Sequence, residues 1–286
     1  MDFPALFAAN AFAGNPAHAA AIEWALGPLT IRCDRDTRIA AIPRGEIRLG
    51  GKVAPEAPTG LIAPTGADVT LVPRPDLRFS YLAVRGGFEV PVVLGSRSTY
   101  LPAGLGGLEG RRLRNGDRLG AVGLPEIPEF PSLGTILSEL GGTRGEDLVL
   151  SAVPGPQWEL FDREAREKFF GSRFVIERAS DRSGYRLAGP AVLPSVTASL
   201  PSEAAIPGAI QIPDNGQPIV LMPDGPTMGG YPKIAVLGRA DLWRLARRQP
   251  GVGVRFRQIA LEEARAGLRE LPFPAVPELE LLQPGR

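Results

Sequence analysis

Glycine and proline recur so often along this chain that no long helix or strand fits between them. The 286 residues include 35 glycines and 30 prolines, roughly double their usual share. They are spread along the chain rather than gathered into one tract, and each cluster favours a turn. The pattern therefore predicts many short elements joined by tight turns, and it argues against a disordered tail.

Between the turns, apolar residues alternate with polar ones, which is the period of a strand with one buried face. In the first half, the clearest strands are predicted at residues 37–42, 46–49, 68–72, 79–84 and 89–94. In the second half, strands are predicted at residues 147–153, 174–177, 185–187, 209–212, 219–222 and 252–259. Such a succession is typical of an all-β barrel or sandwich.

A few short helices interrupt the strands. One is predicted to begin after the capping residue Asp2 and to end at Gly14. Others are predicted at residues 163–170, 240–248 and 261–269, with a shorter amphipathic piece at 135–140. A proline-rich stretch at 125–133 places a domain boundary near residue 145. The chain is thus predicted to form domains at 1–145 and 146–272, followed by a tail at 273–286.

Composition excludes several functional classes. The net charge of +1 argues against a nucleic-acid partner, which would need a concentrated basic face. The single histidine, His18, rules out a multi-histidine metal site, and we predict no metal site. The single cysteine, Cys33, allows no intrachain disulfide and fits a reducing compartment. No stretch has the roughly 20 apolar residues of a membrane span, and no signal peptide is evident. We therefore expect a cytoplasmic protein, with His18 at the surface and Cys33 in a structural role.

The loop P-D-G-P-T-M-G-G-Y-P-K at residues 223–233 is the strongest candidate for a binding site. Adjacent glycines leave backbone N–H groups free to approach an anion, and Lys233 supplies a cation. The chain contains only three lysines (Lys52, Lys168 and Lys233), so a lysine in this loop is notable. The loop is not a nucleotide-binding P-loop, and on spacing alone an ordinary hairpin loop remains an alternative.

Two arginines in the first half lie in similar settings. Arg85 precedes a pair of glycines, and Arg97 lies between two serines. The planar guanidinium can bind two oxygens of a carboxylate or phosphate, although an arginine bonded to loop carbonyls is an equal alternative. A third arginine, Arg182, follows Asp181 in S-D-R-S-G, where both residues are interpreted as shaping a turn.

Six segments of this chain occur in the order found in a known family. They are Y-L-A-V-R-G-G-F-E-V-P-V-V-L-G-S-R-S-T, G-G-L-E-G-R-R-L-R-N-G-D, V-P-G-P-Q, S-D-R-S-G-Y-R-L, G-A-I-Q-I-P-D-N-G-Q-P-I-V-L and G-G-Y-P-K-I-A. From about residue 1 to residue 259, the chain resembles the carboxyltransferase-like family that includes the C subunits of bacterial 5-oxoprolinase. These proteins are also called KipA-like or allophanate hydrolase subunit 2-like.

The resemblance implies two tandem cyclophilin-like β-barrels with a few short helices. It also implies a C subunit that works with a KipI-like B subunit and an A subunit, opening 5-oxoproline to glutamate with ATP, which carries Mg²⁺. We assign no catalytic residue. The predicted anion binders and hydrogen-bonding positioners are Arg85, Arg97, Gln211, Thr227, Gly229, Gly230, Tyr231 and Lys233.

Two departures from the family pattern keep other functions open. Relatives have further residues before the Met-Asp pair matched by Met1-Asp2, so the first barrel is expected to lack its N-terminal part. Relatives also read Q-T-T-G-G-Y-P-K where this chain has P-T-M-G-G-Y-P-K. One alternative is the carboxyltransferase component of a biotin-dependent urea or amide carboxylase, with biotin on a separate carrier. The other is a non-catalytic regulatory module that acts with a KipI-like kinase inhibitor.

A partner protein would need a complementary face on this chain. A cluster of arginines interleaved with leucines at residues 111–119 is the predicted face, because arginine and exposed apolar groups are typical of interfaces. A solvated strand edge is the alternative. The cluster comprises Arg111, Arg112, Leu113, Arg114, Arg118 and Leu119.

Overall fold

The computed structural model describes residues 1–43, 45–54, 60–122, 146–195 and 200–269. These residues form nineteen strands and four α-helices, so the predicted mainly β fold is confirmed. The helices are α1 (Phe3–Ala13), α2 (Arg163–Gly171), α3 (Arg239–Ala246) and α4 (Leu261–Arg269). Two short 3₁₀ helices lie at Leu101–Ala103 and Trp158–Leu160. The predicted boundary near residue 145, the piece at 135–140 and the tail at 273–286 lie outside the described residues.

Two four-stranded antiparallel sheets make up the first half. The first sheet has the order β1 (Ile22–Ala25), β8 (Phe79–Val84), β3 (Thr37–Ile42), β6 (Gly60–Ala63). The second has the order β2 (Leu29–Arg32), β7 (Asp68–Val72), β4 (Glu46–Leu49), β5 (Lys52–Val53). The first eight described strands of this half thus form two separate sheets rather than one closed ring.

The first sheet is buried on both faces, which explains its nearly continuous apolar strands. Successive side chains of a strand point to opposite faces. On β3, Ala40 and Ile42 pack against α1, while Ile39 and Ala41 pack with Leu71 of the second sheet. The sheet therefore lies between the helix and the second sheet. Helix α1 ends as predicted at a left-handed glycine, Gly14.

The second half is a closed seven-stranded barrel. Its order is β11 (Leu148–Pro154), β18 (Lys233–Leu237), β15 (Ala209–Gln211), β16 (Ile219–Leu221), β13 (Gly184–Ala188), β12 (Phe174–Ile176), β19 (Gly253–Gln258). A parallel pairing of β11 with β19 closes the ring. Helix α2, capped as predicted by Asp162, contributes Phe169 to the core, where its ring stacks on Phe256 at a centroid distance of 4.6 Å.

Charged side chains join the two halves. Asp2, which caps α1, is buried and lies 2.5 Å from the guanidinium of Arg247 at the end of α3. Arg182 forms ion pairs with both Asp224 in its own half and Glu23 of β1. Two of these ion pairs are direct contacts between the two halves.

The turn beside Arg182 is built as predicted. The carboxylate of Asp181 accepts hydrogen bonds from the backbone N–H groups of Ser183 and Gly184, at 2.7 and 3.2 Å. An aspartate that bonds its own following backbone is a common turn device. The turn thereby aims Arg182 at the junction between the halves.

One strand prediction is wrong. The strand predicted at 89–94 ends at Glu89, and β9 is only Phe88–Glu89, paired with β10 (Gly120–Ala121). Proline at position 91 has no N–H for a ladder, and Leu94 with Gly95 forms a turn in which both have positive φ. We call residues 88–122, which begin with β9 and contain β10 near their end, the arm.

Candidate functional site

A short two-stranded ribbon lies beside Lys233 and Gln211 of the barrel. Strand β14 (Glu203–Ala204) pairs antiparallel with β17 (Met228–Gly229), and this register places Glu203 opposite Gly229. Strand β18 of the barrel begins a few residues after β17, at Lys233. The loop predicted as a binding site is therefore folded back against the start of a barrel strand.

Lys233 is buried, which is unusual for a lysine. Its side chain is only 4% exposed, and Nζ lies 2.5 Å from Oε1 of Glu203. Apart from this carboxylate, no acceptor among the described residues lies in hydrogen-bond geometry to Nζ. A lysine ammonium carries three N–H donors, and leaving such donors unsatisfied in a buried position is costly. The N–H groups that do not face Glu203 are therefore available to an oxygen atom of a ligand.

Gln157 connects the carboxylate to the strand. Its Nε2 donates to Oε1 of Glu203 at 2.6 Å, and its Oε1 accepts from the backbone N–H of Lys233 at 3.1 Å. The turn before it depends on glycine, because a Cβ at Gly155 would lie 2.2 Å from the carbonyl oxygen of Lys233. This close packing keeps the Gln157 amide in register with the lysine.

Gln211 completes the cluster from the neighbouring strand. It is the Cα partner of Lys233 in the β15–β18 pairing, next to an irregularity in register, and its side chain is buried. A Cβ at Gly229 would lie 2.7 Å from Nε2 of Gln211, so the glycine lets the ribbon approach the amide. The structure brings together three of the predicted site residues, Gln211, Gly229 and Lys233.

The ion pair sets the charge state of the cluster. The adjacent Lys233 ammonium, followed by the hydrogen bond from Gln157, holds the pKa of the Glu203 carboxyl below its ordinary value. Glu203 is therefore ionised at neutral pH, and it balances the charge of the lysine. With its own charge neutralised, the cluster offers N–H donors to a neutral oxygen such as an amide carbonyl more readily than it concentrates positive charge for a dianion.

The other predicted residues of this loop are more exposed. Thr227 and Tyr231 are on the surface, and neither side chain makes a hydrogen bond within the described part of the chain. The backbone carbonyl of Thr227 accepts from Ala205 at 2.9 Å and so fixes the ribbon. Gly230 is exposed beside the carbonyl of Leu200. Their proposed roles toward a ligand stay predictions.

Arg85 and Arg97 lie in different settings. The guanidinium of Arg85 donates to the carbonyl of Gly14, and thus stabilises the C-terminal end of α1. Arg97 is exposed in the arm and forms no ion pair with the described carboxylates. Of the two interpretations of Arg85, this contact matches an arginine bonded to a loop carbonyl. Anion binding by either arginine stays a prediction.

Gln157 and Glu203 were not among the predicted site residues. Gln157 had a signal, because it ends the V-P-G-P-Q segment. Glu203 had none, since it is one acid in a two-residue strand. Glu203 comes next to Lys233 only when the ribbon and the barrel are folded.

The single cysteine and the single histidine both belong to the first half of the chain. Burial raises the pKa of the Cys33 thiol, which disfavours the nucleophilic thiolate, and His18 is exposed as expected. No group of three or more His, Cys, Asp or Glu residues in the described ranges could hold a metal ion. Within those ranges, no helix is long and apolar enough to cross a membrane.

Comparison with known proteins identifies relatives of the whole described fold. The 5-oxoprolinase C subunit of Escherichia coli is 41% identical over 268 residues, which are 92% of this chain and 83% of that protein. The protein of the same name from Haemophilus influenzae is 32% identical over 275 residues, again covering 92% and 83% of the two chains.

A solved structure has the same architecture. The crystal structure of the Kluyveromyces lactis urea carboxylase superposes with a TM-score of 0.82 and 26% identity. The match covers 93% of this chain but 25% of that larger protein. The model of the carboxyltransferase domain, subdomain A and B, matches residues 1–258. This chain therefore belongs to the carboxyltransferase domain subdomain A and B family.

Proposed function

We propose that this chain is the C subunit of an ATP-dependent 5-oxoprolinase, which opens 5-oxoproline to glutamate together with the A and B subunits. The observation that carries the proposal is the 41% identity to the Escherichia coli C subunit across nearly the whole of both chains. We place the complex in the cytoplasm. We expect Mg²⁺ to accompany the ATP phosphates, which is how this ion is usually bound in enzymes that use ATP.

The chemistry requires activation of a poor electrophile. Transfer of the γ-phosphoryl group of ATP to the lactam oxygen, with ADP as the leaving group, would convert the ring carbonyl into a reactive imidate. Water could then add to that carbon, and breaking the ring C–N bond would free the amine and leave an acyl phosphate. A second water would hydrolyse this acyl phosphate to glutamate and inorganic phosphate. Such a reaction depends chiefly on positioning and on donors aimed at the developing charge.

The buried cluster is suited to hold the lactam oxygen. One N–H group of Lys233 faces Glu203, and the others have no acceptor in hydrogen-bond geometry among the described residues. Glu203 keeps the site neutral, and Gln157 fixes the carboxylate. Gln211 lies beside them with a second amide. We propose that Lys233 and Gln211 position the amide of 5-oxoproline, while Gly229 and Gly230 supply backbone close to the ligand. Arg85, Arg97, Thr227 and Tyr231 stay candidate contacts to carboxylate or phosphate.

Reconstitution tests this function. Purified A and B subunits are mixed with this chain, and glutamate release from 5-oxoproline is measured with and without ATP. We expect turnover only in the complete mixture with ATP. The same assay with an active 5-oxoprolinase complex from another source is the control, and no turnover beside that active control would refute the proposal.

The similarity to urea carboxylase supports one alternative, the carboxyltransferase component of a biotin-dependent carboxylase. A biotinylated carrier, a biotin carboxylase, urea and bicarbonate can be supplied to the same ATP-containing mixture in place of 5-oxoproline. Carboxylation of urea in this mixture, together with no release of glutamate in the 5-oxoproline assay, would favour this alternative. Binding to the B subunit with neither activity would favour the regulatory module.

A further inference from the structure

The arm, residues 88–122, has almost no core of its own. Gly107 is the one buried residue in it, and only Phe88 and Ala121, at its ends, pack partly against a hydrophobic core. The ends are held side by side by the β9–β10 pairing. The arm therefore begins and ends at the same place on the first half, and it adds almost no buried core to the protein.

Backbone packing keeps the arm ordered instead. A Cβ at Gly106 would lie 2.2 Å from the carbonyl oxygen of Ser98, and one at Gly110 would lie 1.8 Å from that of Gly104. Arg111 then holds Asp117 through two hydrogen bonds of 2.8 and 3.0 Å. These contacts give the arm a defined shape, so its surface is presented in one arrangement.

The surface of the arm is unusually apolar. Fifteen large apolar side chains are exposed in the described part of the chain, and six of them belong to this one segment. They are Val92, Leu94, Tyr100, Leu105, Leu113 and Val122. Concentrations of exposed apolar groups mark sites of protein contact.

The exposed charges of the arm are mainly positive. Arg97, Arg112, Arg114 and Arg118 are exposed and form no ion pairs with described carboxylates. Of the three acids in the arm, Asp117 and Glu109 are both bound to Arg111, and Glu89 is exposed. A combination of apolar side chains and arginines is characteristic of the residues that dominate protein interfaces.

We propose that the arm is the docking surface for an acidic, partly apolar face of the B subunit. The proposal rests on the proposed function, because it assumes that this chain acts in a complex. A second copy of the chain is disfavoured, since a two-fold contact would place the same arginines against one another. Nucleic acid is disfavoured because the apolar groups would stay exposed and the net charge is only +1.

Leu94 is the residue that most directly supports docking of a partner on the arm, and its substitution is the most direct test. It is 92% exposed at the tip of a turn, and its φ of 50° lies in the left-handed region. Leucine is unfavourable there, whereas asparagine is tolerated. A residue that is unfavourable in its own turn and is 92% exposed fits a contact with a partner. Leu26 is its match, 74% exposed with φ 62° and also followed by a glycine.

The first experiment compares Leu94→Asn with Leu26→Asn. Both substitutions should raise the denaturant concentration at the unfolding midpoint of the isolated chain. Asparagine adopts the left-handed backbone conformation of these two positions with less strain than leucine does. Only Leu94→Asn should weaken binding to the B subunit in calorimetry, by about tenfold or more, the loss expected for one buried leucine side chain. Greater stability with weaker assembly is a result that a merely structural role cannot produce.

The second experiment tests the charges. The double variant Arg112→Glu/Arg118→Glu should slow association with the B subunit by about tenfold or more at low salt, and the difference should shrink as salt rises. The control is Arg178→Glu/Arg186→Glu, which reverses two exposed arginines of the barrel half. The control should associate like the unchanged chain.

The outcomes separate this inference from the proposed function. If the B subunit binds all arm variants as tightly as the unchanged chain, the docking site is elsewhere and the inference is wrong, although the function stands. If the unchanged chain binds neither the A nor the B subunit, the proposed complex itself fails. Loss of a dimer of this chain in sedimentation, or loss of RNA binding, caused by the arm variants would also overturn the assignment to an acidic partner subunit.

Discussion

The barrel and the arm depart from the usual distribution of side chains in opposite directions. The barrel buries Lys233, a residue type that proteins normally expose, and surrounds it with Glu203 and Gln157. The arm exposes leucines and valines that proteins normally bury. Buried polar groups and exposed apolar groups are the informative exceptions in a folded chain. This comparison places the proposed ligand contacts in the barrel and the proposed partner contacts in the arm.

Substitutions in the barrel and in the arm should differ most in their effect on the free energy of unfolding. Phe169 is fully buried and stacked on Phe256 in the barrel, so Phe169→Ala should lower the free energy of unfolding by about 3–5 kcal/mol. Leu105 of the arm is exposed, and Leu105→Ala should change that free energy by no more than about 0.5 kcal/mol. Urea titrations of both variants measure the difference. Equal losses would show that the arm packs against something within the chain.

Replacing the buried lysine should affect activity more than stability. Lys233→Met keeps an apolar stem of similar length and leaves Glu203, whose side chain is 43% exposed, in contact with water. We expect glutamate release by the reconstituted complex to fall about 10²–10³-fold, the loss typical of a removed charge-stabilising donor. Lys168→Met, at an exposed position of α2, is the matched control and should retain activity. Full activity of Lys233→Met would exclude the cluster from the reaction.

The ion pair also predicts a pH dependence. The folded-state pKa of Glu203 lies below its ordinary value because of Lys233 and Gln157. The stability that this pair contributes is therefore present above the unfolded pKa of about 4.3. It is lost as pH falls through the lower folded-state value.

Glu203→Gln isolates this contribution. The difference in unfolding free energy between the unchanged chain and this variant should be constant above about pH 5 and shrink below about pH 4. Glu177→Gln, at an exposed glutamate without an ion pair to any described cation, is the control. A difference that does not vary with pH would contradict an ionised, paired Glu203.

The smallest expected effect concerns the fit between the ribbon and Gln211. A methyl group at Gly229 would lie 2.7 Å from Nε2 of Gln211, and the flexible amide end can move away. Gly229→Ala should therefore change stability by less than about 1 kcal/mol while raising KM for 5-oxoproline severalfold. Gly171→Ala, where a Cβ meets nothing within 4 Å, is the control. An unchanged KM for Gly229→Ala would remove Gln211 from the ligand contacts.

Much of the fold could be predicted from local signals in the sequence. The strands at 37–42 and 79–84 occur as predicted, because turn residues mark their ends and apolar residues fill them. Helix α1 begins after Asp2 and ends before Gly14 for the same local reason. The strand at 89–94 failed because a proline and a Leu-Gly turn outweighed the apolar pattern.

Less of the candidate site could be predicted from local signals in the sequence. Lys233 could be predicted because lysine is rare in this chain and lies in a glycine-rich loop. Its partners could not, since Gln157 is 76 positions away along the chain and meets it only through the β11–β18 pairing of the barrel. Residues that are joined by long-range strand pairing carry no common signature in their local sequence.

The contact between Asp2 and Arg247 has a consequence for the order of events during synthesis. The two residues are 245 positions apart, and a ribosome adds about 5–20 residues per second. Helix α1 therefore leaves the ribosome roughly 12–49 s before its arginine partner does. During that interval the Asp2 carboxylate has no cation from the end of α3. The first sheet can form early, but its helix reaches its final electrostatic environment only when nearly the whole chain has been made.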